Sequence, residues 1–120
     1  MSSDLPKLPS RDPAGHKGTF GTVCVLGGCA LAQTRMIGAP ALTASAALRA
    51  GAGLCKVAAP LPIIDSVIAL VPSATGIALA TDADGGLVPH EVRRRWTRSS
   101  RSATAWRSGR GWAPGRGRGR

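Results

Sequence analysis

Residues 21–60, GTVCVLGGCALAQTRMIGAPALTASAALRAGAGLCKVAAP, are the stretch that decides the fold. Positions 21–26 are a short β-branched apolar run, and Gly27-Gly28 closes it, which predicts a buried strand ending in a glycine turn. Residues 29–37 read as a loop. Gly38-Ala39-Pro40 then opens a helix, with Pro40 in the first turn, where its missing N–H is no loss. The helix runs through ALTASAALRA with small residues on nearly every face, and it stops at Gly51 and Gly53. Residues 54–58 (LCKVA) form a second strand, broken by Pro60 and Pro62.

The pattern continues outward from this core. Residues 63–71 are apolar and helix-length, closed by Pro72, and residues 76–80 are a third strand candidate before the turn-rich 82–86. The order strand, helix, strand, helix, strand predicts an α/β layer structure with parallel strands and right-handed crossovers. Three strands alone would leave two bare edges and uncovered apolar faces. The body is therefore expected to be the opening of a larger α/β domain.

Composition splits the chain near residue 90. Residues 1–88 hold six Lys/Arg against five Asp, whereas residues 89–120 hold ten Arg, no Lys and only Glu91 as an acid. All three Trp (Trp96, Trp106, Trp112) follow the split, and the only Phe, Phe20, precedes it. The net charge of +10 therefore describes no single domain. The body is near the lower size limit for a self-sufficient core and is dominated by Ala and Gly. Cys24, Cys29 and Cys55 form no CxxC pair and read as reduced thiols of a cytoplasmic protein, with no metal site. Residues 1–14 are a polar extended arm without a signal-peptide pattern, and no apolar stretch approaches a membrane span.

Gly27-Gly28 falls at the carboxyl end of the first strand, where open α/β sheets bind ligands. The spacing is not GxGxxG, so a dinucleotide-binding Rossmann reading is weak. Taken alone the pair is a tight turn or a place for a ligand to approach the backbone. The helix start at Ala39-Pro40 offers free N–H groups to an anion.

Three segments together carry more. GHKGTFGTVCVLGG (15–28), the Gly38-Ala39-Pro40 helix start and Arg49-Ala50-Gly51-Ala52-Gly53-Leu54 follow a pattern of HKG-x-FG, a strand ending in GG, GAP, then RxGAGL. This resembles the start of the ADP/ATP-dependent NAD(P)H-hydrate dehydratases, a family with a ribokinase-like three-layer α/β fold. The resemblance covers residues 15–60 closely and 61–90 loosely, about the first third of such a domain. It implies a repair lyase acting on NADHX or NADPHX, the hydrated forms of NADH and NADPH, with ADP or ATP and Mg²⁺ as cofactors. The chemistry implied is phosphorylation of the hydrate's hydroxyl and expulsion of phosphate, which needs a base and donors around the phosphates.

By the same resemblance Ala39 contacts the hydrate and Gly27 and Gly28 line that cleft, a substrate-binding set of Ala39, Gly27 and Gly28. The family's later GPGLG segment, a later His and a GSGD-type nucleotide pocket with its catalytic Asp have no counterpart in this chain. No catalytic residue is therefore assigned, and the chain as it stands is expected to be inactive. Lys17, beside His16, either meets nucleotide phosphates as a point charge or sits in a solvated loop before the strand. Arg49 reads as a surface residue, and Cys29, where the family often has Ser, has no nearby base to make it a nucleophile. A family-level homo-oligomer is compatible with the resemblance, and the short arm points to a free-standing dehydratase rather than one fused to an epimerase.

Residues 89–120 are predicted to be a disordered Arg/Gly-rich tail. Its Arg and Trp invite a nucleic-acid-binding reading, the rival function class. A ribokinase-like kinase of a small alcohol is a second rival, against which the HKG-x-FG and GAP segments speak. The absence of Lys among ten basic residues also suits GC-rich codons read out of frame. With suitable codons for residues 102–115, the frame starting at each third base spells RDGVAIGPGLGAG, which contains the family's next motif. Together these point to a frameshift between about residues 89 and 95. The tail would then bind nucleic acid loosely through its charge, with no specific nucleic acid partner and no membrane.

Overall fold

The computed structural model describes residues 10–99 together with Thr104–Ala105. Among the described residues the elements are, in chain order, β1 (Thr22–Leu26), β2 (Cys29–Leu31), β3 (Thr34–Met36), α1 (Gly38–Arg49), β4 (Leu54–Pro60), a 3-10 turn (Leu61–Ile63), α2 (Ile64–Leu70), β5 (Thr75–Leu79), α3 (Pro89–Ser99) and β6 (Thr104–Ala105). The main sheet has the order β5-β4-β1-β6, and every pairing in it is parallel. Register runs from Thr22↔Leu54 to Leu26↔Ala58 between β1 and β4, and from Lys56↔Thr75 to Pro60↔Leu79 between β4 and β5. The α/β reading holds, as part of a ribokinase-like domain.

The main apolar cluster lies on one face of this sheet, and Cys24, Ala58 and Leu79 are buried on the other. Val25, Cys55, Val57 and Ala59 meet Ala41 and Ala44 of α1 and Ile64 and Val67 of α2. The alanines of α1 let its axis come close to β1 and β4, which is why so small a set of side chains leaves Val57 and Val67 with no solvent exposure. Burying a valine completely stabilises by about 1.5–3 kcal/mol. The register puts Cys24, Lys56 and Thr75 in one row across the sheet, and Val23 opposite Cys55 in the next. Side chains alternate between faces along a strand, so Cys24 and Cys55 point to opposite sides.

Element boundaries follow local chemistry. Gly51, at φ +104°, takes the chain out of α1 in the left-handed conformation that a side chain resists. β4 runs through Pro60, two residues beyond the expected 54–58, and Pro62 sits in the 3-10 turn before α2 begins. β5 starts one residue earlier than expected.

Two expectations need correction. Residues 29–37 are a hairpin rather than a loop: β2 and β3 pair antiparallel from Cys29↔Met36 to Leu31↔Thr34. Strands of three residues are too short to show a hydrophobic period, and the backbone ladder makes them. The predicted tail also begins with order, since α3 occupies 89–99 and β6 pairs with β1 at Val23↔Thr104 and Cys24↔Ala105. Pro89 at the first helical position, Glu91 in the first turn and Arg98 in the last all favour a helix. The rest of the arm (1–9) and of the tail (100–103 and 106–120) lies outside the described residues.

Candidate functional site: the carboxyl end of β1

The two glycines after β1 have different tasks. Gly27 donates its N–H to the Ala58 carbonyl at 3.1 Å, extending the β1–β4 ladder by one bond. A Cβ there would lie 3.7 Å from Pro40 Cβ, so the glycine turn and the start of α1 face each other across ordinary contact distance. Gly28 has φ +99°, and a Cβ there would sit 2.8 Å from Ile63 Cδ1 and 3.2 Å from the Met36 carbonyl oxygen. The chain can turn from β1 into the hairpin here only because this residue lacks a side chain.

The start of α1 forms the second wall. Pro40 is fully buried while Ala39, one residue earlier, is exposed. Ile37 at the cap position makes no side-chain cap, and the first N–H groups of a helix have no partner within it. Gly38 and Ala39 carry two of these N–H groups. Beyond the hairpin, the 82–86 turn packs on its outer side, with Gly85 against the Ala30 carbonyl. Asp82 organises that turn: its Oδ1 accepts from the N–H of Asp84 at 3.0 Å and of Gly86 at 2.7 Å. This carboxylate is occupied in structure rather than poised as a base.

The sulfur groups give no nucleophile. Cys29 Sγ donates to the Thr34 carbonyl across the hairpin at 3.5 Å. Burial pushes the Cys24 thiol pKa up, with Lys56 pulling it partly back, and burial with the proximity of Cys24 raises that of Cys55. Both thiols stay protonated and inert at neutral pH. Among the described residues no group of three or more His, Cys, Asp or Glu could hold a metal ion.

Lys17 stands at the other end of β1. His16 accepts the Thr19 N–H on its carbonyl at 2.8 Å and the Gly18 N–H on Nδ1 at 3.1 Å, closing a tight turn that leaves the Lys17 side chain exposed. This turn is clasped by the α1–β4 connection: Gly53 lies against the Lys17 carbonyl, and Leu54 donates to the Gly21 carbonyl at 3.1 Å. Arg11 closes the clasp, stacked 4.0 Å over the Phe20 ring and donating to the Gly51 carbonyl at 3.0 Å. At about 3.3 Å per residue, β1 keeps this end roughly 17 Å from the glycine turn. The structure therefore brings Gly27 against Pro40 at the start of α1, with Gly28 turned toward Ile63 and Met36, and sets Lys17 apart. Arg49 is exposed at the end of α1, as expected.

Sequence reasoning missed the hairpin beside the glycine turn and the packing of the 82–86 turn on it. The only signal for the second was the Asp-Ala-Asp-Gly-Gly composition, which announces a turn but not its neighbour.

No family model matches the chain. The chain is 39% identical over 88 residues to a bifunctional NAD(P)H-hydrate repair enzyme Nnr of Methanothermobacter thermautotrophicus, a match covering 73% of this chain and 15% of that protein. A repair enzyme of the same name from Moorella thermoacetica is 46% identical over 54 residues, 45% of this chain and 9% of its own length. A third, from Salinibacter ruber, is 33% identical over 81 residues, covering 68% of this chain and 14% of that protein. The chain thus spans about one-seventh of the length of the first of these relatives.

Proposed function

Because this chain belongs to the NAD(P)H-hydrate dehydratase family, we propose that its body is the hydrate-binding end of an enzyme that restores NADHX and NADPHX to NADH and NADPH at the expense of ADP or ATP. The observation that carries this reading is the meeting of the Gly27-Gly28 turn with the Gly38-Ala39-Pro40 helix start at the carboxyl end of β1. Bare backbone on one side and uncapped N–H groups on the other suit a flat, anionic dinucleotide. Ala39 and the two glycines contact the hydrate, and Lys17 has no part in that cleft.

The reaction also needs a base for the hydroxyl proton and a pocket for the nucleotide. The described residues do not assemble a ligand set for Mg²⁺. The GSGD-type helix start that carries the nucleotide in the resemblance is not in the chain. The 120-residue chain alone is therefore proposed to bind hydrate without turning it over, and the complete reaction to be a cytoplasmic repair.

Titrating the isotope-labelled chain with NADPHX and following its amide resonances tests the reading. Shifts confined to Gly27, Gly28 and Ala39 are expected. No shifts, or shifts only around Lys17 and Gly53, would overturn it.

We also propose that a frameshift falls between about residues 89 and 95, on the shifted-frame GPGLG and the absence of Lys among ten basic residues. Sequencing the gene across codons 85–125 and beyond decides it. One inserted or lost base that restores GPGLG and a later GSGD supports it, and an intact frame ending after Arg120 sinks it.

A further inference from the structure

Helix α3 divides its residues by side. Val92 and Trp96 are half-buried, and the helix meets the sheet at β5. His90, Arg93, Arg94, Thr97 and Arg98 line a shallow open groove of about 790 Å³. Their spacing of i, i+3, i+4, i+7 and i+8 is one continuous stripe of an α-helix. The exposed arginines of that stripe face outward, and the apolar residues that a membrane-inserting helix would expose are turned toward the body. One acid, Glu91, stands on the same helix.

We infer that the Arg93-Arg94-Arg98 stripe of α3 is a docking surface for the phosphodiester backbone of a nucleic acid, independent of base sequence. Charge complementarity selects the partner. Guanidinium groups offer fixed forks of donors to phosphate oxygens, and Arg suits this geometry better than Lys. From Arg93 to Arg98 the helix rises about 7.5 Å, close to the roughly 6.8 Å of axis over which three successive phosphates of one duplex strand are spaced. Contacts of guanidinium groups to phosphate oxygens position a protein on the duplex without reading its sequence. The inference concerns the chain as it stands and does not depend on the dehydratase reading.

The test uses the full 120-residue chain and a fluorescent 20-base-pair duplex of random sequence, with affinity measured from low to physiological salt. In one variant Arg93, Arg94 and Arg98 are replaced by Gln, which keeps helix propensity. In a control of equal charge Arg116, Arg118 and Arg120 are replaced by Gln. Circular dichroism of each confirms that the helix content is kept. The stripe variant is expected to bind about tenfold or more weaker than the control, and its salt slope to fall by about 2.7 for three lost phosphate contacts. Equal weakening in the two variants would overturn the inference, because charge count alone would then explain binding. Stripe-dependent binding to phosphatidylserine vesicles that exceeds binding to the duplex would also overturn it, assigning the surface to a membrane.

Discussion

Gly53 sits against the main-chain carbonyl of Lys17, so close that a Cβ at position 53 would overlap it. This contact, with the hydrogen bonds of the Gly53 and Leu54 N–H groups to the Gly21 carbonyl, joins two of the segments that carry the family resemblance, HKG-x-FG and RxGAGL, at the amino ends of β1 and β4. It gives the glycine a packing reason and leaves the exposed Lys17 side chain out of the contact.

Gly53→Ala is therefore expected to destabilise the body strongly, by about 2 kcal/mol or more, because backbone rather than a flexible side chain must move. Lys17→Ala, by contrast, is expected to change stability by less than about 0.5 kcal/mol. Urea unfolding of the two variants beside the parent chain checks the contrast. Equal effects would show that the clasp is not set by the glycine.

At the ligand end the two glycines should separate stability from binding. Gly28→Ala places a side chain at φ +99° and against Ile63, with an expected loss of about 1–2 kcal/mol from the backbone conformation alone. Gly27→Ala meets only ordinary contact with Pro40 and is expected to fold almost as well. Its methyl group narrows the cleft, so its affinity for NADPHX should fall several-fold. Thermal unfolding and a binding titration, run on both variants, give the two readouts.

Arg11 ties the arm to the clasp by its donor bond to Gly51 and its place over Phe20. Arg11→Ala is expected to lose about 1 kcal/mol, from one charge-assisted hydrogen bond and one exposed cation–π contact. Arg11→Lys keeps the charge but not the planar stack, and should recover only part of the loss. Chemical denaturation of both variants measures it.

The thiols predict an alkaline limit. Burial raises the pKa of Cys24 and Cys55, so the folded state holds these protons more tightly than the unfolded chain. Their contribution to stability is fully present below the unfolded thiol value of about 8.5 and is lost as pH rises through the higher folded values. Stability between pH 8 and 10.5 should therefore fall less steeply in the Cys24→Ala, Cys55→Ala double variant than in the parent. In the native chain at pH 8, a thiol reagent should modify Cys29 well before the two buried residues. Rapid modification of all three without denaturant would contradict the buried positions of Cys24 and Cys55.

The sequence by itself determined the order of strands and helices in the body. The apolar run before Gly27, the Gly38-Ala39-Pro40 opening and the Gly51 stop each act within a few residues, through backbone conformation and periodic burial that one segment can express alone. It also determined that Gly27, Gly28 and Ala39 belong to one motif pattern. Tertiary structure decided what those residues face. Gly27 meets Pro40, Gly53 meets the Lys17 carbonyl and Gly85 meets the Ala30 carbonyl only because parallel strand pairing brings distant residues side by side. The hairpin at 29–36 and the helix at 89–99 were likewise hidden. Three-residue strands carry no period, and a charged segment declares a helix only when its few apolar side chains find a sheet to lie against. Lys17 shows the distinction most plainly. Its neighbours in sequence made it a candidate ligand, and the length of β1 put it at the far end of the sheet from the cleft.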